Sequence, residues 1–408
     1  MKILLITDNF PPEVNAPATR GFKHAEKWVK MGYQVTILTC FPNFPKGKVF
    51  EGYKNSLYAV EELNGIRIIR LWSYITSNDG FLRRTLDYMS FCISSFVAGL
   101  FFKTDIILAT SPQFFVALSG HFLSKVKRKP WILEIRDLWP DSISAVGSLN
   151  KTSYVFKILK SLEGYLYRSA SKLIVVTDSF KKYLIEEHQT PEFKIGVFKN
   201  GIDNNLNNDL TIAEIKSLKK SLGMNNDKKV VSYIGTHGLA HGLEFILNSI
   251  KSPEFQNFYF LFLGDGAKRR ELIKLKSKLN LTNVIFLKSV SKSEVHKYIQ
   301  ISDFALVNLK KSEIFKTVIP SKIFENVAYH KPIILGVEGE AKEIVETYGV
   351  GISFEPENMT EFFNAIDGVV KIQHSKEFLS GCERLKNDFD RERIAEGMIN
   401  FVLSINNK

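Results

Sequence analysis

The stretch Val230-Val-Ser-Tyr-Ile-Gly235-Thr-His-Gly-Leu-Ala-His-Gly242-Leu-Glu-Phe-Ile-Leu247 decides the fold. It predicts a buried β-strand, then a loop with three glycines, then the start of an amphipathic helix. Such a loop presents free backbone N–H groups to an anion, and its glycines remove the side chains that would block a phosphate. We therefore expect a diphosphate site, although a plain strand-to-helix turn explains the glycines equally well. His237 and His241 favour the diphosphate, since imidazoles donate hydrogen bonds to a phosphate and become protonated beside it.

A second candidate element is Val318-Ile-Pro-Ser-Lys322-Ile-Phe-Glu325-Asn-Val-Ala328. Pro320 suits the first turn of a helix, and the Ser321 hydroxyl can accept from a free N–H. Lys322 then lies in the positive first turn, where a cation is unfavourable unless an anion joins it. This conflict predicts a phosphate partner for Lys322. Glu325, one turn later, suits ribose hydroxyls, and it also suits simple compensation of the Lys322 charge.

The amino-terminal half places charges where a buried strand ends, in Trp131-Ile-Leu-Glu134-Ile-Arg136-Asp137-Leu-Trp-Pro140. Buried strands rarely carry such charges unless these pair or reach a ligand cleft. We expect a cleft, and a structural Arg136–Asp137 pair is the alternative. The loop of residues 8–20 also follows a strand and directs polar groups to the same edge, unless it is only a proline-rich turn.

Short strand patterns alternate with helical patterns through most of the chain, which predicts parallel sheets covered by helices. The predicted strands are residues 2–7, 35–39, 66–71, 106–109, 131–135, 173–176, 195–198, 230–234, 258–263, 284–287, 304–307 and 332–335. A polar, turn-rich segment begins at Asn200, so the domain boundary is expected there. A chain of 408 residues is also too long for one ordinary core.

The composition, with 45% hydrophobic and 24% charged residues, is globular, and the net charge of +12 predicts an anionic partner. Nucleic acid is disfavoured because no zinc-finger, basic-zipper or RNP-like motif accompanies the charge. The three cysteines lie far apart and outside metal-ligand spacing, which favours the cytosol and no metal. The start of the chain has no signal-peptide pattern.

The segment of residues 88–102 contains no charge and is shorter than the roughly 20 residues that span a bilayer. A buried helix is the preferred interpretation. Because Arg83 and Arg84 precede the segment and Lys103 follows it, a helix lying partly among lipid headgroups is the alternative. The basic run of residues 125–129 would add attraction to anionic lipid, or it is a solvated helix end.

Read in order, these motifs resemble the retaining GT-B glycosyltransferases of family 4 over essentially the whole chain. The chain is most similar to bacterial L-fucosamine transferases of O-antigen and capsule assembly. The motifs that carry the resemblance are Pro11-Pro-Glu-Val-Asn-Ala-Pro-Ala-Thr-Arg20, Arg136-Asp-Leu-Trp-Pro140, Asn200-Gly-Ile-Asp203, Gly235-Thr-His-Gly-Leu239, Gly264-Asp-Gly266 and Pro320-Ser-Lys-Ile-Phe-Glu325. One departure is Thr317, which stands where many relatives have a glutamate that touches the donor sugar.

The resemblance implies two Rossmann-like, doubly wound α/β domains facing across a cleft. Residues 1–200 would bind the acceptor and residues 201–375 the nucleotide sugar, while the helices of residues 376–408 would cross back to the first domain. Catalytic roles fall to Arg136, Asp137 and Lys322, and acceptor contacts to Glu13, Asn15 and Arg20. The expected nucleotide-sugar site comprises Gly235, Thr236, His237, Gly238, His241, Gly264, Ser321, Lys322 and Glu325.

The implied reaction moves an N-acetylated deoxyhexosamine, such as N-acetyl-L-fucosamine from its UDP derivative, onto an undecaprenyl-diphosphate-linked saccharide. No metal cofactor is expected. The protein would be cytoplasmic and peripheral on the anionic inner face of the plasma membrane. Two alternatives remain open: a UDP-N-acetylhexosamine epimerase, and a membrane-associated binding partner in polysaccharide assembly that is not an enzyme.

Overall fold

The computed structural model of the protein describes residues 1–406 apart from residues 45, 77–80, 112–114, 146, 148, 204–208 and 226. The chain divides into two compact units. Unit 1 contains Met1–Asn200 and Arg391–Lys408, and unit 2 contains Gly201–Asp390. The sequence prediction groups residues 376–408 together, whereas the structure divides this segment after Asp390.

In the described part of unit 1, eight strands form one sheet in the order β3-β4-β2-β1-β5-β6-β7-β8. Its strands are β1 (Lys2–Ile6), β2 (Gln34–Cys40), β3 (Tyr58–Leu63), β4 (Ile66–Leu71), β5 (Ile106–Thr110), β6 (Trp131–Ile135), β7 (Lys172–Val175) and β8 (Ile195–Val197). Every pairing is parallel except that of β3 with β4. Because the parallel strands end at the same edge, Asp8 and the Arg136-Asp137 pair come to one side of the sheet.

Strand β3 is absent from the sequence prediction. It is an exposed edge strand with charged residues, so it lacks the buried β-branched pattern that marks the others. A readable signal was nevertheless present in the pair Asn64-Gly65. Both residues have positive φ, 52° and 76°, as a tight hairpin turn between β3 and β4 requires.

Helices cover both faces of this sheet, as right-handed crossovers between parallel strands require. They are α1 (Ala16–Lys30), α2 (Phe81–Gly99), α3 (Val116–Lys127), α4 (Asp141–Ala145), α5 (Tyr154–Ser169) and α6 (Asp178–His188). Helix α1 begins at Ala16 because the Asn15 side chain accepts from the Ala18 N–H at 2.9 Å and caps the helix.

Unit 2 repeats the design with six parallel strands among its described residues, in the order β11-β10-β9-β12-β13-β14. The strands are β9 (Lys229–Ile234), β10 (Phe258–Leu263), β11 (Val284–Leu287), β12 (Phe304–Asn308), β13 (Ile333–Gly336) and β14 (Gly351–Ser353). The helices are α7 (Ile212–Ser221), α8 (Leu243–Ser249), α9 (Arg269–Lys278), α10 (Lys292–Ile301), α11 (Lys322–Ala328), α12 (Glu340–Tyr348), α13 (Met359–Ile372) and α14 (Lys376–Asp388). The loops after β9, β10 and β12 therefore meet at the carboxyl edge of the sheet, where ligands of such folds bind.

The last helix, α15 (Arg391–Leu403), belongs to unit 1. Met398, Ile399 and Val402 are buried in the same apolar cluster as Trp28 of α1. The Trp28 indole N–H also donates to the Ala395 carbonyl at 2.8 Å. Helix α15 thus completes the core of unit 1 from the far end of the chain.

None of the helices in the described part of the chain is long and apolar enough to cross a bilayer. Helix α2, which carries most of the uncharged segment, is instead packed on the sheet along one side, where Phe91 and Cys92 are buried.

We expect Trp28→Ala to destabilise unit 1 by about 3–5 kcal/mol, because it leaves a cavity between α1 and α15. Trp72→Ala is the matched control, since that indole is 41% exposed, and it should cost less than about 1 kcal/mol. Guanidinium unfolding followed by circular dichroism measures both. Equal shifts in the two variants would show that the α1–α15 contact does not stabilise unit 1.

Candidate functional site

The glycine loop that follows β9 is bound edge to edge to the loop that follows β10. The Gly235 N–H donates to the Leu263 carbonyl at 2.9 Å, and the His237 N–H donates to the Asp265 carbonyl at 2.8 Å. The Lys268 N–H returns a bond to the His237 carbonyl at 2.9 Å. The two loops therefore form one rigid backbone surface at the carboxyl edge of the unit 2 sheet.

Gly264 is required where the loops touch. Its φ of +151° is unfavourable for any residue with a side chain, and a Cβ at this position would overlap the Gly235 carbonyl. A glycine is therefore needed at position 264 because the two main chains lie so close together, and not because the loop must be flexible.

Lys322 lies directly beside the glycine loop, as the sequence analysis expects. A Cβ built on Gly235 would lie 2.5 Å from Cε and 3.0 Å from Nζ of Lys322. The ammonium also lies 3.7 Å from the centre of the Tyr233 ring, a cation–π contact. Among the described residues, Nζ makes no ion pair and no hydrogen bond. The structure thus places a cation at the phosphate-binding type of loop without an ion-paired carboxylate among the described residues, Glu325 acting on it only at a distance.

Burial lowers the pKa of Lys322 to about 7, against the opposing charge of Glu325. Burial likewise lowers the pKa of His237 to about 4 and that of His241 to about 3, and the Lys322 charge adds to both shifts. Both imidazoles are therefore neutral at pH 7. A positive charge on either ring would be desolvated and close to Lys322 in the ligand-free protein, and protonation beside a bound phosphate stays a prediction.

His237 is fully buried, yet neither ring nitrogen has a hydrogen-bond partner within the described residues. Its ring is packed against Tyr233, Phe262 and Phe286. The neutral ring therefore keeps one unpaired N–H close to Lys322. Leaving a buried donor without a hydrogen bond costs about 1–3 kcal/mol.

The other predicted donor-site residues surround this centre. Gly238 donates its N–H to Nδ1 of His241 at 3.3 Å, and the exposed Thr236 carries the carbonyl that accepts from the Tyr233 hydroxyl. Glu325 is half-buried one turn after Lys322. Ser321 differs from expectation: its side chain makes no cap hydrogen bond, because its own backbone is already helical at φ −59°, ψ −22°.

In unit 1, Arg20 is a buried structural residue. Its Nε pairs with Glu134 at 2.8 Å, and its terminal nitrogens donate to the carbonyls of Phe198 at 2.7 Å and Lys199 at 2.8 Å. Burial raises the pKa of Glu134, but Arg20 and Arg136 outweigh burial and hold that pKa at about 2. The described hydrogen bonds of Arg20 are therefore all to protein groups.

Glu13 and Asn15, the other predicted acceptor contacts, are also engaged within the protein. One carboxylate oxygen of Glu13 accepts from the N–H groups of Asn43 and Phe44, both at 2.8 Å, and Asn15 caps α1. These contacts fasten the loop after β1 to the segment after β2. Oε2, the other carboxylate oxygen of Glu13, is buried without a described partner.

Arg136 and Asp137 lie together where β6 ends, and the described residues show no ion pair between them. The Arg136 N–H donates to the Ser111 hydroxyl at 2.8 Å, while its buried Nε has no described partner. Burial raises the pKa of Asp137 to about 6, against hydrogen bonds from Ser142 and the Leu138 N–H. The pKa of Asp137 is thus close to neutral pH.

Three further residues were missed by the sequence analysis. Asp8 follows β1, and burial followed by the Glu13 charge raises its pKa to about 7. Burial also raises the pKa of Asp87 in α2 to about 7, with the Asp8 charge adding to it. In unit 2, Arg269 begins α9, and its Nε is buried without a described partner. The signals for the two acids were the position of Asp8 directly after a strand and that of Asp87 directly before the uncharged segment of residues 88–102.

No group of three or more His, Cys, Asp or Glu side chains within the described ranges is arranged to hold a metal ion.

Comparison with known proteins gives matches over most of the chain. The family model for glycosyltransferase family 4 matches residues 22–206, and the model for glycosyl transferases group 1 matches residues 214–383. The putative colanic acid biosynthesis glycosyl transferase WcaI of Escherichia coli K12 is 24% identical over 410 residues, covering 98% of this chain and 100% of its own.

Solved structures match both units together. A sucrose-phosphate synthase from Thermosynechococcus elongatus superposes with a TM-score of 0.78 at 16% identity, over 99% of this chain and 98% of its own. HepE from Anabaena, crystallised with UDP-glucose, gives a TM-score of 0.72 at 16% identity, over 99% of this chain and 100% of its own.

We expect the affinity for a UDP-sugar to fall as pH rises from about 6 to 8.5, approaching tenfold per pH unit above pH 7. This follows from the prediction that the diphosphate pairs with the charged form of Lys322, whose pKa is about 7, while His237 and His241 titrate far lower. Calorimetry at several pH values measures the slope. Lys322→Met should flatten it, and a slope that persists in this variant would assign the titration to another group.

Gly235→Ala should weaken UDP binding at least about tenfold, because its methyl group would displace the Lys322 amine. Gly223→Ala is the matched control: its φ is also positive, at +72°, but a Cβ there meets nothing within 4 Å. Both variants should lose about 1 kcal/mol of stability from backbone strain. Similar loss of UDP affinity in both would reject the contact with Lys322 as the cause.

Proposed function

Because this chain is a glycosyltransferase with group 1 and family 4 domains and the GT-B fold, we propose that it moves a sugar from a UDP-linked donor onto a lipid-linked saccharide. Unit 2 binds the nucleotide sugar and unit 1 binds the acceptor. The sugar is an N-acetylated deoxyhexosamine, N-acetyl-L-fucosamine being the leading candidate, and the acceptor is undecaprenyl-diphosphate-linked. The product enters O-antigen or capsule polysaccharide.

The observation that carries the donor proposal is the position of Lys322 beside Gly235, without an ion pair to a described residue. A diphosphate supplies the negative charge that this amine lacks, and the loop contributes backbone N–H groups. The neutral His237 ring adds one N–H donor. Glu325 accepts from the ribose hydroxyls. The structural neighbour HepE, crystallised with UDP-glucose, supports a UDP-linked donor in this fold.

In the proposed reaction, the bond between the sugar anomeric carbon and the diphosphate oxygen breaks, and the acceptor oxygen bonds to that carbon. Negative charge develops on the leaving UDP, where the charged Lys322 stabilises it more strongly than in the bound donor. The leaving phosphate takes the acceptor proton on the same face, which retains the configuration. Arg136 and Asp137 orient the acceptor, and no side-chain nucleophile is required.

The choice of sugar and acceptor rests on the family resemblance and on the relative WcaI, whose name assigns it to colanic acid biosynthesis. An undecaprenyl-linked acceptor would keep the protein at the cytoplasmic face of the membrane, as a peripheral protein. The net charge of +12 is consistent with an anionic lipid surface there.

The test is release of UDP from UDP-N-acetyl-L-fucosamine in the presence of a lipid-linked acceptor. We expect Lys322→Met to lower kcat/KM by about 100-fold or more, since removing one charged hydrogen-bond donor to developing charge costs roughly 2.7–4 kcal/mol. Lys331→Met is the matched control: Lys331 is also buried, with its pKa lowered to about 8, but it donates to the Gln300 carbonyl away from the site.

Full activity of Lys322→Met, with Lys331→Met unaffected, would reject the assigned donor site. An incubation without acceptor distinguishes the epimerase, which would convert the donor and release no UDP. A set of UDP, GDP and ADP sugars screened by thermal stabilisation identifies the nucleotide, since the bound ligand raises the melting temperature.

A further inference from the structure

The outward side of α2 is apolar, although its inward side already packs on the sheet. Leu86, Ile93, Val97 and Phe101 follow one another at helical spacing along and just beyond α2, and all are exposed, Ile93 at 60% and Phe101 at 81%. A surface helix normally carries polar residues on its outer side. Here both sides are apolar, so the outer side lacks a partner in the described part of the chain.

Helix α3 extends the same surface. Phe122 and Val126 are at least half exposed, and the Phe122 ring lies 6.2 Å from the ring of Phe96 on α2. The Lys127 ammonium on α3 donates to the carbonyls of Leu100 and Phe102, each at 2.9 Å, so the two helix ends are joined. We call Leu86, Ile93, Val97, Phe101, Phe122 and Val126 the α2–α3 face.

Positive charge borders the α2–α3 face at its carboxyl end. Lys103, Lys125, Arg128 and Lys129 are all exposed there, and α3 contains no acidic residue. Asp87, the acidic residue of α2, is largely removed from solvent and is close enough to Asp8 for the two charges to interact. The face thus joins an apolar surface to a basic border, as an anionic lipid surface requires.

A second copy of the chain fits this face poorly. In a two-fold dimer the same patch meets itself, so the basic borders would be brought together. Juxtaposed like charges oppose association. A bilayer with anionic headgroups instead complements both parts of the face.

We propose that the α2–α3 face lies in the headgroup region of an anionic membrane, with Phe101, Phe122 and Val126 inserted and the basic border on lipid phosphates. The inference rests on the proposed function for its setting, since a lipid-linked acceptor requires a membrane. Near its beginning, α2 carries Tyr88, whose ring lies 6.0 Å from that of Trp139, two residues after Asp137. The docked face therefore adjoins the part of unit 1 proposed to bind the acceptor.

The experiment measures sedimentation of the full chain with sucrose-loaded vesicles, without any sugar substrate. We expect binding to vesicles rich in phosphatidylglycerol, weak binding to pure phosphatidylcholine, and weakening with added salt. The double variant Ile93→Ser/Phe101→Ser should reduce partitioning about tenfold or more, because it removes apolar area from the contact. The control is Ile212→Ser/Met359→Ser, two exposed apolar residues of unit 2, which should bind like the parent.

The basic border is tested separately with Lys125→Gln/Lys129→Gln. Each removed charge should weaken binding to phosphatidylglycerol vesicles by about fivefold. Lys274→Gln/Lys278→Gln, two exposed lysines of α9, is the control with the same change in net charge. A loss specific to the first pair supports the proposal, and an equal loss in both pairs overturns it by assigning the effect to net charge alone.

Two further results would overturn the docking proposal. One is unchanged vesicle binding by Ile93→Ser/Phe101→Ser. The other is a lipid-free dimer, seen by light scattering, that this variant dissociates. Turnover of a short-chain soluble acceptor without vesicles tests the proposed function independently. If the protein binds vesicles but transfers no sugar, the docking proposal stands and the proposed function fails. If it transfers sugar but does not bind vesicles, the proposed function stands and the docking proposal fails.

Discussion

The proposed donor site depends on a lysine ammonium that unit 2 buries without an ion pair to any described residue. Lys322 is positioned by the Tyr233 ring on one side and by the absence of a side chain at Gly235 on the other. Burial lowers its pKa to about 7, which shows that the protein environment disfavours the charge. A diphosphate reverses this preference, because it restores an opposite charge at short range. Binding of the proposed diphosphate would thus remove the electrostatic penalty that burial places on the charged form of Lys322.

Charges in unit 1 are arranged differently. Glu134 is neutralised by Arg20, which also binds two main-chain carbonyls, so this pair holds the end of the sheet together. Asp8, Asp87 and Asp137 have no comparable cation, and burial raises the pKa of each towards neutral. The ion-paired carboxylate therefore stabilises the fold. The three carboxyl groups without such a partner among the described residues lie near the edge of the sheet, where an acceptor hydroxyl would be bound.

The sequence was sufficient for the α/β architecture because parallel strands buried on both faces carry a strong apolar signal. The predicted fold class and the prediction of a glycosyltransferase are confirmed by the structure and the family matches. The edge strand β3 escaped because its pattern is polar. The glycine loop and Lys322 were each predicted from local chemistry to meet a phosphate, and the family resemblance implied that they share one site.

The roles of individual polar residues were harder to predict. One motif that resembles the family contains Glu13, Asn15 and Arg20. The motif does not reveal that the first two side chains accept hydrogen bonds from main-chain N–H groups and that Arg20 pairs with Glu134. The neutral state of His237 and His241 likewise depends on burial by residues distant in sequence. Burial and charge compensation are tertiary properties, and spacing along the chain does not encode them.

The chain leaves unit 1 after Asn200 and returns to it only at Arg391, so unit 2 is inserted within the sequence of unit 1. During synthesis all residues of unit 2 emerge before the helix that covers Trp28 exists. Domains usually fold in order from the amino terminus, but here unit 2 can be complete before unit 1 is. Unit 1 keeps an uncovered apolar surface until translation reaches α15, and a ribosome that stalls late in the message releases a finished unit 2 attached to an incomplete unit 1.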